Sequence, residues 1–406
     1  MSSGPTSVPV GVSRRSKHGP RYTLVRQHNH RSVLDLFLAG EAMSKPHVAR
    51  AAHLSVPTVD LAIEYLIERG LVEPVGQRRG GLGRSAALFR LRGDAAQIIA
   101  IDIGVRRWRL SVSDLAGIET RHEMIPSPAS GGVLPRLTQL IDDLIGSLTP
   151  QPADLVLAVA TPGVPHPTSG RLQFVENIPD LVDVPLGNLL EARYAATVVV
   201  ENDVNLAALA EQREGRAVGC ENFAFISIGN GVGMGAVVDG HPLRGSRGAA
   251  GELGLLPFPV QPASLKVRRH GALESAIGAD AIRRRTRELI KAGKPTVLSP
   301  RASVEDVLAA ATDGDQLAVS VLQEVAAALA TAIAAAVVVL DSELIVLGGG
   351  IGSQPVLVES SVAALRSILD QPVQLVSSAL RAEATLVGAR AMGRDVLLAQ
   401  LMESVT

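Results

Sequence analysis

The strand-like run Val198-Val199-Val200 ends in Glu201-Asn202-Asp203 and passes into a helical stretch, Leu206 to Arg213. A carboxylate at the carboxyl end of a strand, where α/β folds open their clefts, is placed to take a proton from a sugar hydroxyl. Asn202 or Asp203 serves equally well as the cap of the following helix. Three glycine clusters lie elsewhere: Gly104 after Ile101-Asp102-Ile103, then Gly229, Gly231, Gly233 and Gly235, and finally Gly348-Gly349-Gly350. Loops of this kind let backbone N–H groups approach a phosphate, and they also make tight hairpins or close helix contacts.

The elements around these residues repeat. Ile98 to Ile103, a glycine turn, Trp108 to Ser113 and the turn Asp114 to Gly117 have a counterpart in Phe223 to Ile228, the loop Asn230 to Gly233, Met234 to Val238 and the turn Asp239-Gly240. Two copies of strand, turn and strand, each followed by alternating helices and strands, predict two α/β lobes facing across a cleft.

A different pattern precedes them. Val33, Leu34, Phe37 and Leu38 recur at helical spacing up to Gly40, and a second helix is expected with Ser44 as cap and Pro46 in its first turn. A third runs from its cap Ser55, through Val59, Ile63 and Leu66, to Gly70, with His53 in a turn position where glycine is common. Leu71 to Val75 and Ala87 to Leu91 read as strands around the basic loop Gly76 to Arg84. Three helices and a basic hairpin in this order predict a winged helix-turn-helix. Ser55 and Thr58 would face DNA, and Arg50, Arg78, Arg79 and Arg84 would reach phosphates or a minor groove. With no Lys or Arg at the start of the third helix, bidentate guanine reading is not available there. A winged helix that binds protein instead of DNA is the alternative.

Charge follows the same division. The 406 residues sum to −1, but residues 1–94 carry +7 and the remainder −8. A basic segment on an acidic body predicts that the first part meets a polyanion. The expected organisation is a basic tail over 1–20, a DNA-binding domain over 21–94 and a body over 95–406, with lobes at about 95–215 and 220–406. One cysteine, Cys220, precludes an intramolecular disulfide and suggests a reducing, cytoplasmic setting. The apolar run Val325 to Leu340 falls short of the ~20 residues that span a bilayer and reads as a buried helix, so no membrane is expected.

These residues resemble the ROK family of sugar-responsive repressors, open reading frames and sugar kinases, over nearly the whole chain from about Arg21. Gly231-Val-Gly-Met-Gly235 through Arg244-Gly-Ser-Arg-Gly-Ala-Ala-Gly-Glu252-Leu-Gly254 is similar to the family signature. The resemblance implies a winged helix-turn-helix ahead of an actin-like, ribonuclease H-like two-lobed body. It places Asp203 as the catalytic base, here vestigial, and Asn177, Asn202, Asp203, Glu252 and Glu274 around a sugar. Asp102, Gly104, Gly229, Gly231, Gly233 and Gly349 fall on its nucleotide-phosphate loops.

Three departures bear on activity. Asp102-Ile-Gly104-Val105-Arg106 stands where family kinases have Asp-x-Gly-Gly-Thr, which crowds the phosphate approach and argues against ATP binding. Leu255 replaces the histidine of Glu-x-Gly-His, and the family's zinc cysteines align with Leu265, Val267 and Ala272. Four apolar residues in place of four ligands predict no zinc, and the basic run Lys266 to Arg269 with His270 reads as a solvated loop. The expectation is a repressor of carbohydrate-related genes, a homodimer or homotetramer on a palindromic operator, sensing a sugar or sugar derivative without phosphoryl transfer and needing no cofactor. An ATP-dependent sugar kinase and a ligand-independent regulator that uses its body to oligomerise are the alternatives.

Overall fold

The structure, a computed structural model, describes residues 20–78, 86–128, 132–175, 177–258 and 271–403. The chain forms two compact units, 1–95 with 398–406, and 96–397.

In the first unit α1 (Pro20–Leu38), α2 (Lys45–Ala51) and α3 (Val56–Glu68) pack with a sheet of β1 (Met43–Ser44), β2 (Val72–Arg78) and β3 (Ala86–Leu91), in the order β1-β3-β2. Val33, Leu34, Phe37, Val48, Val59, Ile63 and Leu66 supply its core, as their helical spacing requires. α1 begins at Pro20, well N-terminal of the periodic segment; its first half is polar, so no apolar period announces it. Ser44 is not a side-chain cap for α2: its extended backbone pairs with Leu88, making it part of the short β1. Ser55 does cap α3, accepting the Thr58 N–H at 3.3 Å. His53 takes the left-handed conformation at φ 55°, so the turn is the one glycine favours, made here by histidine. β2 continues through a bulge between Pro74 and Gly76 to Arg78, beyond the strand end expected at Val75.

The second unit repeats one sheet design. β4 (Ala96–Ile103), β5 (Arg107–Asp114) and β6 (Glu119–Pro126) are antiparallel, and β7 (Asp154–Thr161) and β10 (Thr197–Asn202) add in parallel, giving the order β10-β7-β4-β5-β6. β8 (Val164–Pro165) and β9 (Leu172–Gln173) form a small hairpin between them. In the other lobe β11 (Phe223–Ile228), β12 (Val232–Val238) and β13 (His241–Pro242) are antiparallel, and β14 (Leu344–Gly348) and β15 (Gln374–Ser377) are parallel, in the order β13-β12-β11-β14-β15.

Helices α4 (Val133–Ser147), α5 (Leu186–Tyr194) and α6 (Asp203–Glu214) belong to the first half, and α7 (Glu274–Ile277), α8 (Ala279–Lys291), α9 (Val304–Thr312), α10 (Gln316–Leu340), α11 (Gly349–Gly352) and α12 (Pro355–Leu365) to the second. The apolar run seen in the sequence is the later part of α10, which starts at Gln316 and buries Val325, Leu329, Ile333 and Val337 in the second lobe's core. By length and composition alone it is long enough to cross a membrane, but most of it is buried inside the molecule.

α13 (Ala384–Glu403) does not stay with the second lobe, where the sequence boundaries put it. A Cβ on Gly388 would lie 1.9 Å from the Leu206 carbonyl oxygen, and one on Gly393 would lie 2.7 Å from Ile98. Small residues at those positions let the helix sit against α6 and the first sheet.

Candidate functional site

The strand ends converge on a cleft in the second unit. Its main chamber, about 260 Å³, is lined by Asn177, Asn202, Asp203, Glu252 and Glu274 together with Gly104, Val105, Phe174, the turn after β11 and Leu255. All five residues expected to hold a ligand therefore meet, from four separate stretches of sequence. A second chamber of about 430 Å³ adjoins it, sharing Gly104, Asp203, Ser227 and Asn230, and is bounded by Asp102, Arg109, Gly349, Gly350, Ser353, Arg381 and Thr385.

The cap reading of Glu201-Asn202-Asp203 falls on Asn202. Its Oδ1 accepts the N–H groups of Val204 at 2.9 Å and Asn205 at 3.2 Å, while its Nδ2 donates to the Gly163 carbonyl at 3.4 Å. That fixes Asp203 in the first turn of α6, where it faces both chambers. Burial, then the neighbouring Asp102 carboxylate, push the Asp203 carboxyl up to about 7, against the stabilising Val204 N–H. A carboxyl tuned to that range is suited to exchanging a proton at neutral pH.

Glu201 lies buried behind the cap. Its Oε1 accepts from the Asn202 N–H at 2.9 Å and Asn205 Nδ2 at 3.1 Å, and its Oε2 accepts from Arg244 Nε at 2.8 Å. A single carboxylate thus ties β10 and α6 to the glycine-rich loop that carries Glu252. Glu274 Oε2 accepts the Val232 N–H at 3.0 Å and braces the second hairpin.

Asp102 closes the other side. It is buried, is held up to about 6 chiefly by burial, and accepts from Arg109 Nη1 at 3.1 Å. Arg109 Nε also lies 3.5 Å from Glu383. Sequence reading passed over Arg109, yet alternation in β5 carries the signal, since it stands directly across from Asp102 in the β4–β5 register. Phe174, also passed over, reaches the main chamber from a left-handed backbone at φ 55°, and nothing in its sequence surroundings marks it.

The glycines divide. Gly349 lines the second chamber and Gly104 both chambers, whereas Gly229, Gly231 and Gly233 line the main one. The structure gives Gly233 a packing role: a Cβ there would stand 3.0 Å from Val204 on α6. Arg106 is exposed at the tip of the first hairpin, and Val105 and Leu255, the residues that depart from the family pattern, both border the main chamber.

Among the described residues no three His, Cys, Asp or Glu side chains are grouped to hold a metal. Ala272 is described, whereas Leu265, Lys266, Val267, Arg268, Arg269 and His270 lie outside the described residues. Cys220 donates to Glu343 Oε1 at 3.1 Å, and burial pushes its thiol up to about 11.

In the N-terminal unit, Arg50 is exposed on the last turn of α2. Ser55 and Thr58 sit at the start of α3 with their hydroxyls 2.7 Å apart, so the cap has already engaged both. Asp60 is ion-paired with Lys45, which also lies 5.5 Å from the Phe89 ring centroid. Arg78 ends β2, and Arg79 and Arg84 fall outside the described residues.

Residues 98–396 match the model of the ROK family. The xylose repressor of Caldicellulosiruptor bescii is 25% identical over 338 residues, covering 80% of this chain and 84% of the repressor. A glucokinase of Halalkalibacterium halodurans is 30% identical over 264 residues, 62% of this chain and 80% of the enzyme. The crystal structure of a ROK transcriptional regulator, a homologue of the Escherichia coli MLC protein, superposes with a TM-score of 0.77 at 26% identity, covering 94% of this chain and 98% of that one. By its two-lobed sheets, its signature loop and this match over most of its length, the chain belongs to the ROK family.

Proposed function

We propose that the protein is a DNA-binding transcriptional regulator, a repressor of carbohydrate-related genes, whose body senses a sugar or sugar derivative without phosphorylating it. The observation that carries this reading is the three-helix unit with its hairpin ahead of the family body. It is supported by similarity to a repressor and to a regulator structure over four fifths or more of the chain. In the body, Val105-Arg106 and Leu255 stand where a kinase would handle phosphate and sugar. A sugar held by Asn177, Asp203, Glu252 and Glu274 shifts the population of lobe arrangements and with it the affinity for DNA. A homodimer or homotetramer pairs its symmetry with a palindromic operator. The test is binding of the purified protein to its own promoter region against random duplex at physiological salt. Equal affinity for both rejects the reading.

One observation favours a sugar kinase: Asp203, tuned to about 7, opens on both chambers. ADP release across hexoses and pentoses decides between the two. Turnover that disappears in Asp203→Asn establishes the enzyme.

A further inference from the structure

α3 buries Val59, Ala62, Ile63 and Leu66 and turns its opposite side outward. On that side Pro57, Leu61, Glu64 and Glu68 follow one another at helical spacing, and all four are exposed. The stripe changes character along the helix, apolar over the first two turns and acidic beyond them. Leu61 is 63% exposed and Val56, at the helix start, 47%. The polar side chains of the same two turns are already engaged. The Ser55 and Thr58 hydroxyls lie 2.7 Å apart at the cap, and Asp60 is ion-paired with Lys45. What the start of α3 holds out is therefore chiefly hydrocarbon.

Charge says which end of the helix can approach a polyanion. Glu64 and Glu68 repel phosphates from the later turns, whereas Arg50 is exposed on the last turn of α2 and residues 1–94 together carry +7. A duplex drawn to this unit thus meets α3 by its N-terminal turns, the part of a recognition helix that contacts base edges. Thymine alone among the four bases presents hydrocarbon in the major groove, as its C5 methyl group. We propose that the bases read by α3 are thymines, with Val56, Pro57 and Leu61 packing on their methyl groups and carrying the sequence specificity of the helix. The inference rests on reading the N-terminal unit as DNA-binding.

The experiment footprints the full-length protein on its own promoter region and then titrates duplexes of the protected sequence by fluorescence anisotropy at one salt concentration. Deoxyuridine replaces thymine one position at a time and then throughout, which removes the methyl group and keeps the charge and the hydrogen-bonding groups of the base. The expected result is a loss of about fourfold at each contacted thymine, the worth of one buried methyl group, and no change at the others. Leu61→Ala and Val56→Ala, both at exposed positions, keep the wild-type salt slope and lose the deoxyuridine penalty at the thymines they touch. Full deoxyuridine substitution that leaves affinity unchanged overturns the inference with the DNA-binding reading intact, as does a penalty that persists undiminished in both variants. If no promoter duplex is bound more tightly than random sequence, the DNA-binding reading fails and the inference with it. A change of oligomeric state in Leu61→Asp, read by sedimentation, would then assign this face to a second copy of the chain.

Discussion

Asp203 and Asp102 put a pH dependence into the body. The carboxyl of Asp203 moves from 3.8 to about 7 and that of Asp102 from 3.8 to about 6, in both cases mainly because burial penalises the charge. Between about pH 4 and 7 the unfolded chain has released these protons while the folded chain still holds them. Stability therefore falls as pH rises through that window, and is greatest on its acid side as far as these two groups are concerned. Asp203→Asn removes one contribution, so the variant gains on the wild type in melting temperature from pH 4 to 7, by about 2–4 °C per kcal/mol recovered. Parallel melting profiles across that range would count against the buried-acid assignment. Arg109 tests the same site from its other side. Arg109→Leu leaves Asp102 buried without its cation and is expected to destabilise the body by about 3–5 kcal/mol at neutral pH, less as acid neutralises Asp102, as chemical denaturation at two pH values would show.

At the scale of elements, the clearest expectations concern caps and close approaches. Ser55→Ala removes the cap of α3 and is expected to cost the N-terminal unit about 1 kcal/mol in denaturant unfolding. Gly388→Ala drives a methyl group into the Leu206 carbonyl and is expected to cost about 1–3 kcal/mol, with α13 displaced from α6. Much of this architecture was legible in the sequence. The doubled strand-turn-strand and the three helices show as local composition or spacing, whereas the five pocket residues came from the family resemblance. What was not legible depends on partners distant in the chain. Ser44 was read as a cap because serine before Lys45-Pro46 looks like one, but pairing with Leu88 claims its backbone first. The seat of α13 rests on glycines whose neighbours are Leu206 and Ile98, so no window of adjacent residues could reveal it. Arg109 was missed because an arginine in a strand reads as solvated until the register puts it beside Asp102.

For the whole molecule, the split between a basic segment of +7 and an acidic body of −8 predicts strong salt dependence of DNA binding. Each arginine that contacts a phosphate contributes about −0.9 to the slope of log affinity against log salt. Arg50→Ala is therefore expected to weaken binding about equally on all sequences and to reduce the slope by about that amount, read by fluorescence anisotropy over a salt series. A change confined to one operator sequence would mean that Arg50 reads bases. The matched strand orders of the two sheets have a consequence of another kind. Asp102-Ile103-Gly104 at the end of β4 and Ser227-Ile228-Gly229 at the end of β11 hold equivalent stations in a duplicated frame, yet one offers an acid and the other a hydroxyl. Duplication conserves scaffolding in pairs while leaving each reactive group a single copy, so one hairpin tip is free to abandon its chemistry without loosening the frame that holds the other.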